Sequence, residues 1–115
     1  MLLLGVGIDI VELSRVAKAR YLERVADFFF LPEELDLMQK SRDHVQFVAS
    51  RLAAKEAVIK AFPGILRYHD FVIGTQNTKP VVRFVHKQHK RYAVLLSIAH
   101  EENYSVSVAA LSSID

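Results

Sequence analysis

The chain has 115 residues, 51% hydrophobic and 24% charged, with a formal net charge of +2; this is the composition of one globular domain, residues 1–115, with a modest core that oligomerisation would help to stabilise. The mild basic bias suits an anionic ligand or an acidic partner and falls short of the charge expected of a protein built on nucleic acid. The absence of cysteine excludes disulfides and thiolate metal sites, and it is compatible with a cytoplasmic home.

Residues 2–10 alternate as a strand with two different faces. Leu2, Leu4, Val6, Ile8 and Ile10 share one face, and Leu3, Gly5, Gly7 and Asp9 the other. Glycine within a strand marks close approach by a ligand or by another backbone. The apolar start is interrupted by Asp9, has no basic leader and has no small-residue cleavage site, so it is not read as a secretory signal. No apolar run approaches membrane-spanning length.

Residues 12–20 read as a first helix, with Leu13, Val16 and Ala17 apolar and Arg15 and Lys18 together on another side. Residues 21–31 read as a short helix followed by a buried turn. Pro32, with Glu33 and Glu34 behind it, starts a helix that runs to about Lys40. The clearest helix covers 43–62. Asp43 is its N-cap, Val45, Val48, Leu52, Ile59 and Phe62 form its apolar stripe, and Pro63-Gly64 ends it. Ala49, Ala53 and Ala57 recur every four residues, which lets another backbone pack closely. Strands follow at 70–76, 81–86, 92–99 and 104–111, with turns at NTKP and HEEN. One strand, then helices, then several strands predicts an α+β domain.

Several constellations could carry chemistry. Asp9 and Glu56, without cysteine or clustered histidine, suit a hard cation such as magnesium. Equally, Asp9 reads as a polar strand end and Glu56–Lys60 as a helix ion pair. Arg51 and Lys55 are like charges one turn apart, an unfavourable pair unless an anion lies between them. That anion could be a phosphate, or the two could simply face solvent. His100 ends an apolar strand, where it is either structural or a donor or base near phosphate or metal. Arg15, Lys18, Arg20 and Arg24 form a basic surface that could dock an acidic partner or be merely solvated. HKQHKR at 86–91 reads as a polar connection, and it lacks the aromatics of a single-strand platform.

Three stretches also match a known family in order and separation. Gly7-Ile8-Asp9-Ile10-Val11-Glu12 fits G-x-D-x-x-E. Arg51-Leu52-Ala53-Ala54-Lys55-Glu56-Ala57-Val58-Ile59-Lys60-Ala61 fits R-[FL]-A-[AS]-K-E-A-x-x-K-A. Leu96-Ser97-Ile98-Ala99-His100 resembles the L-S-[IL]-[ST]-H strand end. Together they resemble the holo-acyl-carrier-protein synthases, short bacterial 4'-phosphopantetheinyl transferases.

The resemblance implies the fold of that family and its reaction. The phosphopantetheine arm of coenzyme A moves to a serine of an acidic acyl carrier protein, adenosine 3',5'-bisphosphate leaves, and magnesium assists. It implies Asp9 and Glu56 as metal ligands, and Glu56, Lys60 and His100 as the catalytic set. Arg42, Arg51, Lys55, Lys60, Gly64, Lys79, Pro80 and His100 become coenzyme contacts. Arg15, Lys18, Arg20 and Arg24 become the carrier-docking surface. A homotrimer with interfacial active sites is implied as well, with no nucleic acid or membrane partner. The chain departs from the family at three places: Ala61-Phe62-Pro63-Gly64-Ile65 replaces a glycine-richer turn, Thr78 precedes Lys79-Pro80 where glycine is usual, and Ala99 precedes His100 in place of Ser or Thr. A catalytically weak module holding coenzyme A or a carrier is the competing class, and a weak nucleic-acid binder is a third.

Overall fold

The computed structural model describes residues 1–114. In chain order it contains β1 (Leu3–Glu12), α1 (Leu13–Val16), α2 (Ala19–Phe29), α3 (Pro32–Lys40), α4 (His44–Ala61), β2 (Phe71–Gln76), β3 (Lys79–Phe84), β4 (Tyr92–His100) and β5 (Tyr104–Ser113). The expected α+β order is the one observed. β1, β5 and β4 form an antiparallel sheet in that order, and β2 and β3 form a separate hairpin.

The glycine face of β1 is the buried one. Gly7 lies so close to α4 that a Cβ there would sit 1.9 Å from the Ala57 carbonyl oxygen, and one on Gly5 would sit 2.1 Å from that of Ala61. Both glycines therefore serve backbone contact between strand and helix. Ala49, Ala53 and Ala57 are fully buried beneath this crossing. The apolar face, with Val6, Ile8 and Ile10, points outward.

Asp43 caps α4 as expected, its Oδ1 accepting from the Gln46 N–H at 3.1 Å. The stripe expected on that helix is too narrow. Ala54, Val58 and Ala61 are buried too, because sheet, hairpin and helical corner enclose α4 on several sides.

The segment before α4 differs from expectation. The predicted helix over 12–20 ends at Val16, and a new one starts at Ala19 and runs to Phe29 through residues read as a turn. Val16 and Leu22 are six positions apart, which on one continuous helix would put them roughly 120° out of register. The break at Ala17-Lys18 lets both join the same core. The NTKP turn is also tighter than predicted, because β3 already includes Lys79 and Pro80. Asn77 and Thr78 make the turn with φ of 51° and 65°. A β-branched threonine in the left-handed region is strained, and this is where the family glycine is missing.

Glu34 ties three elements together. Its side chain and that of Lys55 are fully buried, with Oε1 2.9 Å from Lys55 Nζ. Oε1 also accepts from the Leu31 N–H at 2.9 Å, and Oε2 accepts from the Ile73 N–H at 3.0 Å. Lys55 donates further to the carbonyls of Tyr68 at 2.5 Å and Phe71 at 2.7 Å. Burial lowers the Lys55 pKa, and the adjacent Glu34 charge opposes that shift. Lys55→Met leaves a buried carboxylate without its counter-charge. It is expected to lower the unfolding free energy by about 3–5 kcal/mol, measured by denaturant titration. A loss below about 1 kcal/mol, typical of an exposed pair, would contradict this account.

Candidate active site

The crossing of β1 over α4 positions the acidic residues. Asp9 follows Gly7 on the helix-facing side of the strand, and Glu56 immediately precedes Ala57 on the helix. Both line a hollow of about 250 Å³ that also receives Arg15, Tyr21, Phe29 and Leu52. Lys60, one turn beyond Glu56, places Nζ 2.9 Å from Asp9 Oδ1 and 3.1 Å from the Ile8 carbonyl oxygen. Lys60 thus pairs with Asp9, and the expected Glu56–Lys60 helix pair is not formed.

Glu56 is held instead by Tyr68, whose hydroxyl donates to Oε1 at 2.6 Å. Burial first, then the Glu56 hydrogen bond and the charges of Glu56 and Asp9, push the Tyr68 phenol up to about 12. It therefore stays protonated, and a donor, at neutral pH. Each carboxylate spends one oxygen in these contacts. Among the described residues, Asp9 Oδ2 and Glu56 Oε2 take no hydrogen bond.

Two hard oxygen donors lining one hollow fit a divalent cation such as magnesium, which binds a few carboxylates and keeps positions for water and phosphate. Among the described residues, no group of three or more His, Asp or Glu gathers as a metal cage. Such a cation would complete its shell with non-protein oxygens.

A second hollow, about 350 Å³, collects Arg42, Gln46, Phe47, Arg51, Thr78, Pro80 and His100, among others. Arg51 stands five residues before Glu56, about 140° around the helix, so the two hollows open on different flanks of α4. Arg51 is anchored by the Ile73 carbonyl at 2.8 Å and Thr75 Oγ1 at 3.1 Å, and its guanidinium lies 4.9 Å from the centre of the Phe47 ring. Gln46 Nε2 donates to His100 Nδ1 at 2.9 Å, which leaves the neutral ring's proton on Nε2. An arginine pair with a histidine donor suits phosphate.

The sequence-predicted residues divide accordingly. Asp9, Glu56 and Arg15 line the first hollow, and Lys60 joins them through its contact with Asp9. Arg42, Arg51, Pro80 and His100 meet at the second. Lys79 lines a neighbouring groove on the far side of Pro80. Gly64 lies in the exposed segment after α4, with open space around it. Lys18, at the corner between α1 and α2, and Arg20 and Arg24, on α2, are exposed. Lys55 is corrected outright as a coenzyme contact: it has no exposed surface, and Glu34 and two carbonyls occupy its ammonium. The anion that offsets the Arg51–Lys55 repulsion is Glu34. The sequence reading missed Tyr68 and Glu34, since neither falls in a motif and their partners are distant in the chain.

Residues 5–109 match the family model of the 4'-phosphopantetheinyl transferase superfamily. The chain is 33% identical to the holo-[acyl-carrier-protein] synthase of Shewanella piezotolerans, across 97% of this chain and 100% of that one. It is 33% identical to the Aquifex aeolicus synthase, across 90% and 94%. The chain belongs to the holo-acyl-carrier-protein synthase family. As a member it is a 4'-phosphopantetheinyl transferase, with the α+β fold of that family. Among solved synthases, that of Bacillus anthracis, in complex with CoA (3',5'-ADP), superposes with a TM-score of 0.83 at 28% identity, covering 98% of this chain and 99% of that one. The Helicobacter pylori synthase, in complex with coenzyme A, gives 0.80 at 26% identity, covering 93% and 99%. The two hollows therefore belong to a synthase chain whose likeness to its relatives runs nearly end to end.

Proposed function

We propose that this chain, acting as one domain, transfers 4'-phosphopantetheine from coenzyme A to a serine of an apo acyl carrier protein in a magnesium-dependent reaction. The observation that carries the reading is the hollow shared by Asp9 and Glu56, with Lys60 paired to Asp9 and a basic hollow for phosphate on the other flank of the same helix. The carrier serine oxygen bonds to the pantetheine-side phosphorus. The pyrophosphate bond breaks, adenosine 3',5'-bisphosphate leaves, and the serine proton is released.

Positioning and charge neutralisation should dominate such a phosphoryl transfer. Asp9 and Glu56 would hold the magnesium, which supplies Lewis-acid neutralisation of pyrophosphate charge when bound. Lys60 places a second positive charge beside Asp9. Arg42 and Arg51 grip the nucleotide phosphates, and His100 donates from Nε2. Pro80 and Lys79 line the approach on the β2–β3 side. Arg15, Lys18, Arg20 and Arg24 present a basic corner at or beside the first hollow to an acidic carrier. The test is incubation with coenzyme A, magnesium and apo carriers, read by mass spectrometry. No pantetheinyl adduct on any carrier, with folded enzyme, would overturn the reading.

The outward sheet face supports assembly. Val6, Ile8 and Ile10 of β1 are 59–60% exposed, and Val108 and Leu95 on the neighbouring strands are 41% and 79% exposed. A soluble monomer rarely leaves such an apolar band open. A closed ring of three copies would cover it, and a head-to-tail contact could bring the first hollow of one copy to the second of the next. Sedimentation at three times the chain mass is expected, with Ile8→Asp shifting it toward the monomer and lowering transfer. A parent protein that sediments as a monomer would reject the trimer. Among the described residues no helix is long and apolar enough to cross a membrane, and the reading places the reaction in the cytoplasm, as part of fatty acid biosynthesis.

A further inference from the structure

Tyr68 is fixed at both ends by neighbouring residues of α4. Its carbonyl accepts from Lys55 Nζ at 2.5 Å, and its hydroxyl donates to Glu56 Oε1 at 2.6 Å. The turn that carries it is itself locked. Asp70 Oδ2 accepts from the Arg67 N–H at 2.8 Å, Asp70 Oδ1 lies 2.9 Å from His86 Nε2, and the Asp70 carbonyl accepts from the Val85 N–H at 2.9 Å. The ring stands edge-on to Phe29, with centroids 4.3 Å apart. A half-buried phenol with its backbone tied down leaves its hydroxyl little choice of direction.

We propose that Tyr68 is a positioning residue for Glu56, occupying Oε1 so that Oε2 is presented to the metal in the Asp9 hollow. This rests on the reading of Asp9 and Glu56 as the metal pair. The buried Glu34–Lys55 pair gains a role through it: it anchors the segment that orients a ligand, as well as joining α3 to α4. The chemistry is that of an outer-shell hydrogen bond. Such a partner restricts the rotamers of a carboxylate ligand, and its loss weakens metal binding or activity by about 10- to 100-fold. A purely structural Tyr68 would affect stability alone.

Manganese(II) serves as a paramagnetic probe of the site. It is titrated into the full chain with coenzyme A present and no carrier, and free ion is read by electron paramagnetic resonance. Thermal unfolding without metal and the magnesium dependence of transfer are measured on the same preparations. Tyr68→Phe is expected to raise the manganese Kd and the half-saturating magnesium about tenfold, with a smaller fall in kcat at saturating metal. Tyr68→Phe with unchanged Kd, while Glu56→Gln abolishes binding, overturns the role of Tyr68 and leaves the metal pair standing. A lowered Tm with unchanged Kd does the same. Glu56→Gln that binds manganese as the parent does, or a parent that binds none, overturns the metal pair and the proposal with it.

Discussion

Gly7→Ala is expected to destabilise the protein by about 3 kcal/mol or more, at the upper end of what overpacking does. The new Cβ would lie 1.9 Å from the Ala57 carbonyl oxygen and 2.8 Å from the Ala61 nitrogen. Both are backbone atoms of a buried helix, so no flexible side-chain end can swing away. Relief requires β1 to lift from α4, and Asp9 would then leave Glu56. Activity should fall with stability, because the same crossing that buries the alanines builds the first hollow. Gly64→Ala is the control, since nothing lies within 4 Å of a Cβ there and exposed substitutions of this kind usually stay within about 0.5 kcal/mol. Urea titration of both variants is the measurement. A Gly7→Ala midpoint equal to the parent's would contradict the backbone contact.

Glu56→Gln is expected to reduce transfer by about a hundredfold or more while leaving the fold intact. The substitution keeps the shape of the side chain, and its amide oxygen can still accept from Tyr68. It removes the negative charge that would hold magnesium, a contribution of several kcal/mol to stabilising the transferring phosphate. Circular dichroism and unfolding should match the parent, because Glu56 is only half-buried. The assay is adduct formation on an apo carrier across a range of magnesium concentrations. Unchanged turnover would reject Glu56 as a ligand.

Local chemistry was legible residue by residue. Asp43 announced the start of α4, and Pro32 with the glutamates behind it announced α3. The Gly5-Gly7 pair announced close approach by a ligand or a backbone, the four-residue alanine spacing announced a close backbone, and the two features meet where Gly7 packs on Ala57. The boundaries around residues 12–31 were harder to read. Leu13, Val16, Leu22, Val25 and Ala26 are individually helical, but no single register satisfies them all, and the break at Ala17-Lys18 resolves a conflict visible only once a shared core exists.

The reading of Lys55 shows the same limit at the site. On a helix Arg51, Lys55 and Glu56 occupy known angles, because the angles follow from spacing alone. What each angle faces depends on chain far away: Glu34 and the carbonyls of Tyr68 and Phe71 enclose Lys55, the hollow beside Asp9 receives Glu56, and the pocket closed by Thr78 and His100 receives Arg51. The sequence by itself determined the element order, the N-cap of α4, the small residues that allow close approach, and the family. Only the tertiary structure decided which lysine is buried, which tyrosine holds Glu56, and that the acidic and basic groups lie on different flanks of one helix. Spacing sets direction along a single element, whereas burial and partnership arise when separate elements pack.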